Sequence, residues 1–269
     1  DLHSFPTRRS SDLRLYARIG EMIDIDNFID YYCFELFIAN NDWPANNMRC
    51  YQLDEGKWRW IFFDGDDALV RMNFDVFDNA TSTINRGWPT DSRSTLLFRK
   101  LLENKEFSKR FLLRFNELLS SQFTYEVTKA YFDDAAALVR GEVPSQCERF
   151  GLPLSLGQWE YDITAINRFF RTRVGNMIDR LGDFFTAEDN NTNIELLYPN
   201  PVSDELHMIL WSDGFAVSDI EVFDLLGRKL HSQKVVLMEG ENQVDLSCPY
   251  ASGIYVLRFE NQTQKIVIQ

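Results

Sequence analysis

The chain has 269 residues, enough for one large domain or two ordinary ones, and its 45% apolar and 26% charged residues form a globular composition. Asp and Glu (41) outnumber Lys and Arg (28), which gives a formal net charge of −13. A chain of this sign is repelled by phosphate backbones and anionic lipids, so its charge argues against nucleic-acid binding. The sequence also has no apolar run near the roughly 20 residues that a transmembrane helix needs.

Residues 1–13 show neither helical nor strand periodicity. We interpret them as an artefactual or disordered leader and leave them out of the fold prediction. The natural N-terminus is then expected to lie upstream of this sequence.

A helix is predicted to follow Asp24, whose side chain can cap the first turn. It is expected to end near Asn40, because Pro44 follows and the residue before a proline is biased away from helix. The apolar positions of this segment follow the spacing of one buried helical stripe, and they are Ile25, Phe28, Ile29, Tyr32, Leu36 and Ala39.

A β-hairpin is predicted to come next. Strand-like runs at residues 48–53 and 58–63 flank a four-residue polar connection that contains Gly56. If the hairpin closes across this connection, Asn47 lies opposite Asp64, with their α-carbons roughly 5 Å apart. The open end of the hairpin would then gather polar side chains.

The remainder of the front part is predicted to be mainly helical. An irregular stretch at residues 64–92, rich in Asp, Asn and Gly, follows the hairpin. Helical periodicity then returns at residues 94–121, 125–140 and 155–185, with apolar stripes that predict a helix-bundle core. These segments and the hairpin are expected to form one domain over residues 14–185.

Composition changes at residues 186–193 (TAEDNNTN), which have no periodicity and indicate an interdomain linker. Beyond the linker, short alternating runs separated by turn residues predict a small antiparallel β-sandwich of the immunoglobulin-like kind over residues 194–269. The predicted fold class is therefore α+β. The runs are residues 206–211, 219–224, 229–236, 243–246, 254–259 and 264–268.

Oxygen ligands are concentrated around the open end of the hairpin. Asp42 lies five residues before Asn47, and Asp66 lies two residues after Asp64. Carboxylate and amide oxygens without thiol or imidazole are the ligands of a hard cation, Mg²⁺ or else Mn²⁺ or Ca²⁺. The alternative is that Asp42 only shapes a turn and that residues 64–67 form a solvated loop or a helix cap.

Other kinds of site have little support in the sequence. The four cysteines lack CxxC spacing, which argues against a zinc site. The three histidines are scattered, which argues against a Ser-His-Asp or Cys-His mechanism.

The order of a loop Asp, an Asn five residues later, a hairpin and another Asp matches the catalytic loop and metal-binding motif of protein kinases. The segments IDIDNFIDYY, FIANNDWPANN, GKWRWIFFDGDDAL and STLLFRKLLENKEFSKRFLLRF resemble the CotH family of atypical, secreted or spore-coat protein kinases. This resemblance implies a kinase-like lobe in which Asp42 orients or deprotonates the acceptor hydroxyl of a protein substrate. It also implies that Asn47 and Asp64 hold the Mg²⁺ or Mn²⁺ that bridges the phosphates of ATP.

Two features leave the enzyme interpretation open. The family usually shows Asp-x-Asp followed by an aromatic residue and Gly, whereas residues 64–69 read DGDDAL, so Asp66 is a candidate metal ligand beside Asp64. No Gly-rich loop or strand-borne Lys precedes residue 24, so we expect the nucleotide-covering lobe to be missing and the chain alone not to transfer phosphate. The alternative is a non-catalytic cell-surface or scaffold protein that binds a divalent cation or carries a degenerate site.

Four motifs stand out in the C-terminal part: YPNP at 198–201, IEVFDLLGR at 220–228, ASGIYVL at 251–257 and KIVI at 265–268. Together they resemble the type A C-terminal sorting domain of the type IX secretion system. The resemblance implies a β-sandwich that interacts with the secretion machinery and carries the protein across the outer membrane. The protein is therefore expected to be secreted or displayed on the cell surface, with a carbohydrate-binding or adhesive sandwich as the alternative.

Overall fold

The structure is a computed structural model that describes residues 8–69, 71, 75–84, 91–185 and 191–269, with side chains from Arg14 onward. The chain divides into two compact units, Asp1–Val174 and Gly175–Gln269. Helices dominate the first unit and β-strands the second, so the predicted α+β class is confirmed. None of the described helices is long and apolar enough to span a membrane.

The first unit consists of helices and one short hairpin. Its elements are α1 (Arg8–Met22), α2 (Ile25–Ile38), β1 (Arg49–Tyr51), β2 (Arg59–Ile61), α3 (Val76–Thr81), α4 (Leu96–Leu102), α5 (Lys105–Ser120), α6 (Tyr125–Val139), a 3₁₀ turn (Arg140–Glu142), α7 (Val143–Phe150) and α8 (Leu156–Phe185). The division between the units falls within α8. The domain boundaries drawn from the sequence stay predictions, and residues 186–190 of the predicted linker lie outside the described residues.

Helix α1 begins at Arg8, inside the segment 1–13 that the sequence analysis set aside. Residues 1–7 of that segment lie outside the described residues. The part of α1 with described side chains packs against α5. The ring of Tyr16 meets Phe107 edge-on, with centroids 6.3 Å apart, and its hydroxyl accepts a hydrogen bond of 3.0 Å from Arg110. Contacts between distant parts of the chain thus support a helix that local periodicity did not indicate.

Helix α2 confirms the prediction made from its stripe and cap. The Asp24 carboxylate accepts a hydrogen bond of 3.1 Å from the backbone N–H of Asn27, which satisfies one of the free donors of the first turn. Phe28 and Leu36 are fully buried, and the ring of Phe28 lies 4.7 Å from that of Trp60 in β2. The helix therefore carries the core contacts of this unit and fixes where its C-terminal end lies.

The helices after the hairpin differ in part from the prediction. The segment predicted as one helix over 94–121 is two helices, α4 and α5, because Asn104 caps a new start with a hydrogen bond of 3.1 Å from Phe107 N–H. Helix α3 lies inside the stretch predicted to be irregular. Helices α6 and α8 match the predicted segments within one residue at each end.

The hairpin forms as predicted, but its register is shifted by one residue. Cys50 pairs with Trp60, and the ladder ends before it reaches Asn47. The predicted pairing of Asn47 with Asp64 is therefore wrong, since the observed register would place Phe63 opposite Asn47.

The turn of the hairpin explains this shift. Gly56 N–H donates a hydrogen bond of 2.8 Å to the carbonyl of Leu53, and Asp54 adopts a left-handed backbone with φ of 48°. This β-turn ends at Gly56 and leaves Lys57 as an additional residue on the β2 side. The two strands are displaced by one position relative to the predicted alignment.

The second unit contains two antiparallel sheets. Its strands are β3 (Thr192–Tyr198), β4 (Glu205–Ser212), β5 (Ala216–Phe223), β6 (Lys229–Leu237), β7 (Gly240–Ser247), β8 (Gly253–Phe259) and β9 (Gln262–Ile268). One sheet has the order β3-β4-β7 and the other β6-β5-β8-β9. The six predicted runs all appear as strands, and β3 begins inside the predicted linker.

Both sheets contribute to one apolar core. Leu206, Met208 and Leu210 of β4 alternate with more exposed neighbours and are fully buried. They belong to the same cluster as Ile220 of β5 and Phe259 of β8, which come from the other sheet. Of the core positions expected from alternation, Val222 and Ile266 are buried, whereas Leu225 and Ile254 are exposed, so alternation identified the inner faces only in part.

Candidate active site at the open end of the hairpin

The loop that carries Asp42 starts from a well-defined helix end. Ala39 takes a left-handed conformation (φ 53°), and the N–H groups of Ala39 and Asn40 bond back to the carbonyls of Leu36 and Glu35 at 3.4 Å. This is the Schellman arrangement, which usually uses Gly at the left-handed position. The chain is thereby turned sharply away from the axis of α2.

A buried arginine from α8 reinforces the same helix end. The guanidinium of Arg173, only 3% exposed, donates to the carbonyl of Phe37 at 2.6 Å and also to that of Leu36. These carbonyls belong to the last turn of α2, where intrahelical donors run out and positive charge is favoured. Arg173 was not singled out from the sequence, because nothing local shows that it reaches α2.

The middle of the loop is anchored by Trp43. Its side chain is fully buried, and its indole N–H donates to the hydroxyl of Tyr31 at 2.9 Å. The amide of Asn79 in α3 donates to the carbonyl of Trp43 at 3.2 Å. Asp42 thus sits half-buried directly before a residue that is fixed in the core.

Asn47 connects two of the other predicted site residues. Its side-chain nitrogen donates to Asp42 Oδ2 at 3.1 Å and to the backbone carbonyl of Asp64 at 3.1 Å. Asn47 is only 6% exposed and has a left-handed backbone with φ of 55°. The structure therefore brings Asp42, Asn47 and Asp64 together, although not through the strand pairing that the sequence predicted.

Asn46 is a part of this cluster that sequence reasoning missed. Its side-chain nitrogen donates to Asp42 Oδ2 at 3.0 Å and to Asn47 Oδ1 at 2.9 Å. Asp42 Oδ1, in contrast, is buried and has no hydrogen-bond partner within the described part of the chain. One carboxylate oxygen thus receives two amide donors while the other receives none. The only sequence signal for Asn46 is its position beside Asn47.

Asp64 and Asp66 supply the acidic side of the cluster. The carboxylate of Asp64 is exposed, and its backbone is left-handed with φ of 58°. Partial desolvation, then the neighbouring carboxylate of Asp66 and that of Asp42, raise the pKa of Asp64 above its ordinary value, against the opposing effect of Arg49. These carboxylates are therefore close enough for their negative charges to repel one another. A bound cation would reduce this repulsion.

The segment after Asp64 is held against the end of α2 by main-chain bonds. Asn41 N–H donates to the carbonyl of Asp67 at 3.3 Å, and Leu69 N–H donates to the carbonyl of Ile38 at 2.9 Å. The segment that precedes the hairpin and the segment that follows it are thus hydrogen-bonded to each other. This explains how the cluster forms without Asn47 and Asp64 pairing in the ladder.

The cluster fits a hard divalent cation in kind, but its side chains do not surround a single point. No group of three or more His, Cys, Asp or Glu side chains with the geometry of a metal site occurs among the residues that the structure describes. The amides of Asn46 and Asn47 contact the Asp42 oxygen that a cation could otherwise contact. The unpartnered Asp42 Oδ1 and the all-oxygen donor set are the observations that fit Mg²⁺ or Mn²⁺.

A second carboxylate lies behind the loop. Glu35 is fully buried, and burial raises its pKa to about 7, although hydrogen bonds from Asn40 and Tyr31 act in the opposite direction. The bond from Asn40 to Glu35 Oε2 is 3.0 Å long. Sequence reasoning placed Glu35 in a helix but had no reason to assign it a role.

Two family models match the chain. The model described as CotH kinase protein matches residues 5–177, and the model described as secretion system C-terminal sorting domain matches residues 196–269. The chain is therefore an α+β protein that is exported, to the medium or the cell surface, by the type IX secretion system. Because the first model covers more than half of its length, the chain belongs to the CotH kinase protein family.

Comparisons with individual proteins add little. A search of curated proteins gives no match. Among solved structures, the chain is similar to the crystal structure of dimeric latent PorU from Porphyromonas gingivalis, at 14% identity over 30% of this chain and 10% of that chain. The TM-score is 0.26, which supports no inference about fold or function.

Proposed function

We propose that this chain carries the metal-holding and acceptor-facing part of a CotH-like phosphotransferase site, built on a kinase-like helical lobe. In this proposal, Asp42 is the catalytic residue and Asn47 and Asp64 hold Mg²⁺ or Mn²⁺, with Asp66 as a further ligand. The phosphate donor is ATP and the acceptor is a hydroxyl of a protein substrate. The C-terminal unit, proposed as an immunoglobulin-like sandwich, serves export.

The observation that carries this proposal is the position of the Asn47 amide, 3.1 Å from both Asp42 Oδ2 and the carbonyl of Asp64. Asp64 lies 17 residues after Asn47 in the sequence, yet the Asn47 side chain connects it to Asp42. A solvated loop or a simple turn at Asp42 would not require a buried Asn in a left-handed conformation to reach the far side of the hairpin.

The chemistry assigned to each residue follows from its surroundings. Asp42 Oδ1 has no hydrogen-bond partner among the described residues but is buried, so the side chain must turn this oxygen outward before it can accept a hydrogen bond from an acceptor hydroxyl and take its proton. Asp64 and Asp66 lie close enough to raise the pKa of Asp64, so they can share the charge of one cation. The cation, when bound, neutralises phosphate oxygens of ATP.

A degenerate site in a non-catalytic surface protein is the second candidate. The amides of Asn46 and Asn47 already satisfy Asp42 Oδ2, and the sequence after Asp64 lacks the usual aromatic-Gly element of the family. Under this alternative, hydrogen bonds replace the cation. The two candidates differ in whether the chain binds a divalent ion at this cluster.

A Mn²⁺ titration tests the proposal. Binding is measured as the loss of the electron paramagnetic resonance signal of free Mn²⁺. Wild-type protein is expected to bind Mn²⁺, and Asp64→Asn is expected to weaken binding about tenfold or more. Asp134→Asn removes an exposed carboxylate of α6 outside the cluster and serves as the matched control. Absence of binding, or equal affinity in the Asp64 and Asp134 variants, would contradict the proposal and support the degenerate site.

A further inference from the structure

We propose that Asn40 and Glu35 form a positioning pair that fixes the main chain of Asp42 and, through it, the orientation of the Asn47 amide. The inference rests on the proposed function, because it assigns the residues that support the catalytic and metal-holding side chains. Neither Asn40 nor Glu35 touches the acceptor or the cation. Both act through Asp42.

Asn40 uses both ends of its side-chain amide. The side chain is fully buried, its nitrogen donates to Glu35 Oε2 at 3.0 Å, and its oxygen accepts from the backbone N–H of Asp42 at 3.2 Å. This orientation of the amide is fixed by chemistry, because a backbone N–H can only donate and a carboxylate accepts. One side chain thus links the last turn of α2 to the main chain of Asp42.

Glu35 is a poor choice for core packing alone. It is fully buried, and its Oε1 has no hydrogen-bond partner among the described residues. Burial of a carboxylate costs free energy that an apolar side chain of similar size would avoid. Besides its interaction with the Tyr31 hydroxyl, this carboxylate accepts from Asn40 through Oε2, and that bond holds the Asn40 amide in the orientation that receives Asp42.

The effect extends from the main chain of Asp42 to Asn47. Asp42 is held on one side by Asn40 and on the other by the buried ring of Trp43. Its Oδ2 then receives the Asn47 nitrogen at 3.1 Å. Release of the bond from Asn40 would let the Asp42 main chain move and would loosen the Asn47 amide, which also faces the carbonyl of Asp64.

Two measurements on the full chain test this pair. Asn40→Ala is expected to speed hydrogen exchange of the Asp42 amide roughly tenfold relative to the amide of Leu36, which normalises for global stability. The same variant is expected to weaken Mn²⁺ binding about tenfold, as loss of outer-shell support does at metal sites. Glu35→Gln retains an oxygen that can accept from Asn40, so both values should stay close to wild type, whereas Glu35→Leu should resemble Asn40→Ala.

Asn104→Ala is the matched control, because it removes a side-chain hydrogen bond at the start of α5 and leaves the loop intact. It should change neither the exchange of the Asp42 amide relative to Leu36 nor the affinity for Mn²⁺. Unchanged exchange in Asn40→Ala would overturn the positioning pair, and faster exchange with unchanged Mn²⁺ affinity would overturn its effect on the site. If wild type binds no Mn²⁺, the proposed function fails, and the exchange data alone decide whether Asn40 and Glu35 hold Asp42.

Discussion

Asn47 contacts Asp64 through the backbone carbonyl of Asp64, at 3.1 Å, and leaves the carboxylate of that residue exposed. The main chain at Asp64 is therefore held by a buried side chain, while its carboxylate is exposed. Such a division of roles suits a residue that must be placed accurately and still reorient toward an ion. It also makes the charge of Asp64 sensitive to its acidic neighbour.

The pKa of Asp64 is expected to fall toward its ordinary value in Asp66→Asn. After desolvation, the carboxylate of Asp66 is the largest cause of the raised pKa, and this substitution removes that negative charge. Titration of the Asp64 carboxyl carbon by nuclear magnetic resonance measures the change. Asp67→Asn is the control and should leave the pKa of Asp64 unchanged, and an identical pKa in wild type and Asp66→Asn would contradict the close approach of the two carboxylates.

Wild-type stability is expected to fall as pH rises from about 4.5 to about 7 because of Glu35. Burial raises the pKa of Glu35 from 4.5 to about 7, so the folded state binds more protons than the unfolded state in this interval. This contribution is fully present below about pH 4.5 and is lost as pH passes about 7, with a total of roughly 3 kcal/mol at 1.36 kcal/mol per pKa unit.

Urea unfolding of wild type and Glu35→Gln at several pH values isolates that contribution. The variant cannot titrate at this position, so the difference in free energy of unfolding between the two proteins should change across the interval from about pH 4.5 to about pH 7. A constant difference over that range would show that the pKa of Glu35 is the same in the folded and unfolded states, and would contradict the raised value.

Arg173→Met is expected to lower the free energy of unfolding by about 3 kcal/mol, because two carbonyls at the end of α2 lose a charged donor. Arg173→Lys should recover little of the loss, since a single ammonium does not reproduce the planar fork of a guanidinium. Chemical denaturation measures both. Arg168→Met, at an exposed position of the same helix, is the control, and an equal effect of both Met variants would argue against the role of Arg173.

In the second unit, Glu221 is expected to contribute to loss of stability in acid. Hydrogen bonds from Lys229 and Arg258 lower its pKa, so the unfolded state binds more protons as pH falls through the ordinary range of a glutamate. Its contribution is present above the unfolded pKa and disappears as pH falls through the lower folded value. As pH is lowered below about 5, the melting temperature should therefore fall less steeply in Glu221→Gln than in wild type. Parallel declines would show that the two cations do not stabilise the ionised form.

Local signals in the sequence predicted much of the fold. The helix after Asp24 was predictable because a capping side chain and a regular apolar stripe are both visible within one segment. The strands of the second unit were predictable for the same reason, since alternation in β4 directly records which side chains face the core. Helix α1 was not, because its support comes from Phe107 and Arg110, which are distant in the chain.

The proximity of three candidate site residues was expected from the sequence, but neither Asn46 nor the connections between these residues was. Asp42, Asn47 and Asp64 do lie together, yet the register that led to this expectation was wrong by one residue, because a turn conformation at Asp54 cannot be read from composition. The roles of Asn40 and Glu35 depend on a Schellman turn at Ala39. This turn was not predictable, because the left-handed position usually holds Gly and here holds Ala. Hydrogen bonds of this kind produce no periodic pattern in the sequence from which they could be predicted.

The Schellman turn at Ala39 and the buried ring of Trp43 enclose a segment of only three residues, 40–42. One end is held by hydrogen bonds and the other by burial, so the number of residues between them cannot change without pulling the indole out of the core or unwinding the helix end. Related proteins that keep this architecture should therefore differ here by exchange of side chains alone, while insertions and deletions accumulate elsewhere.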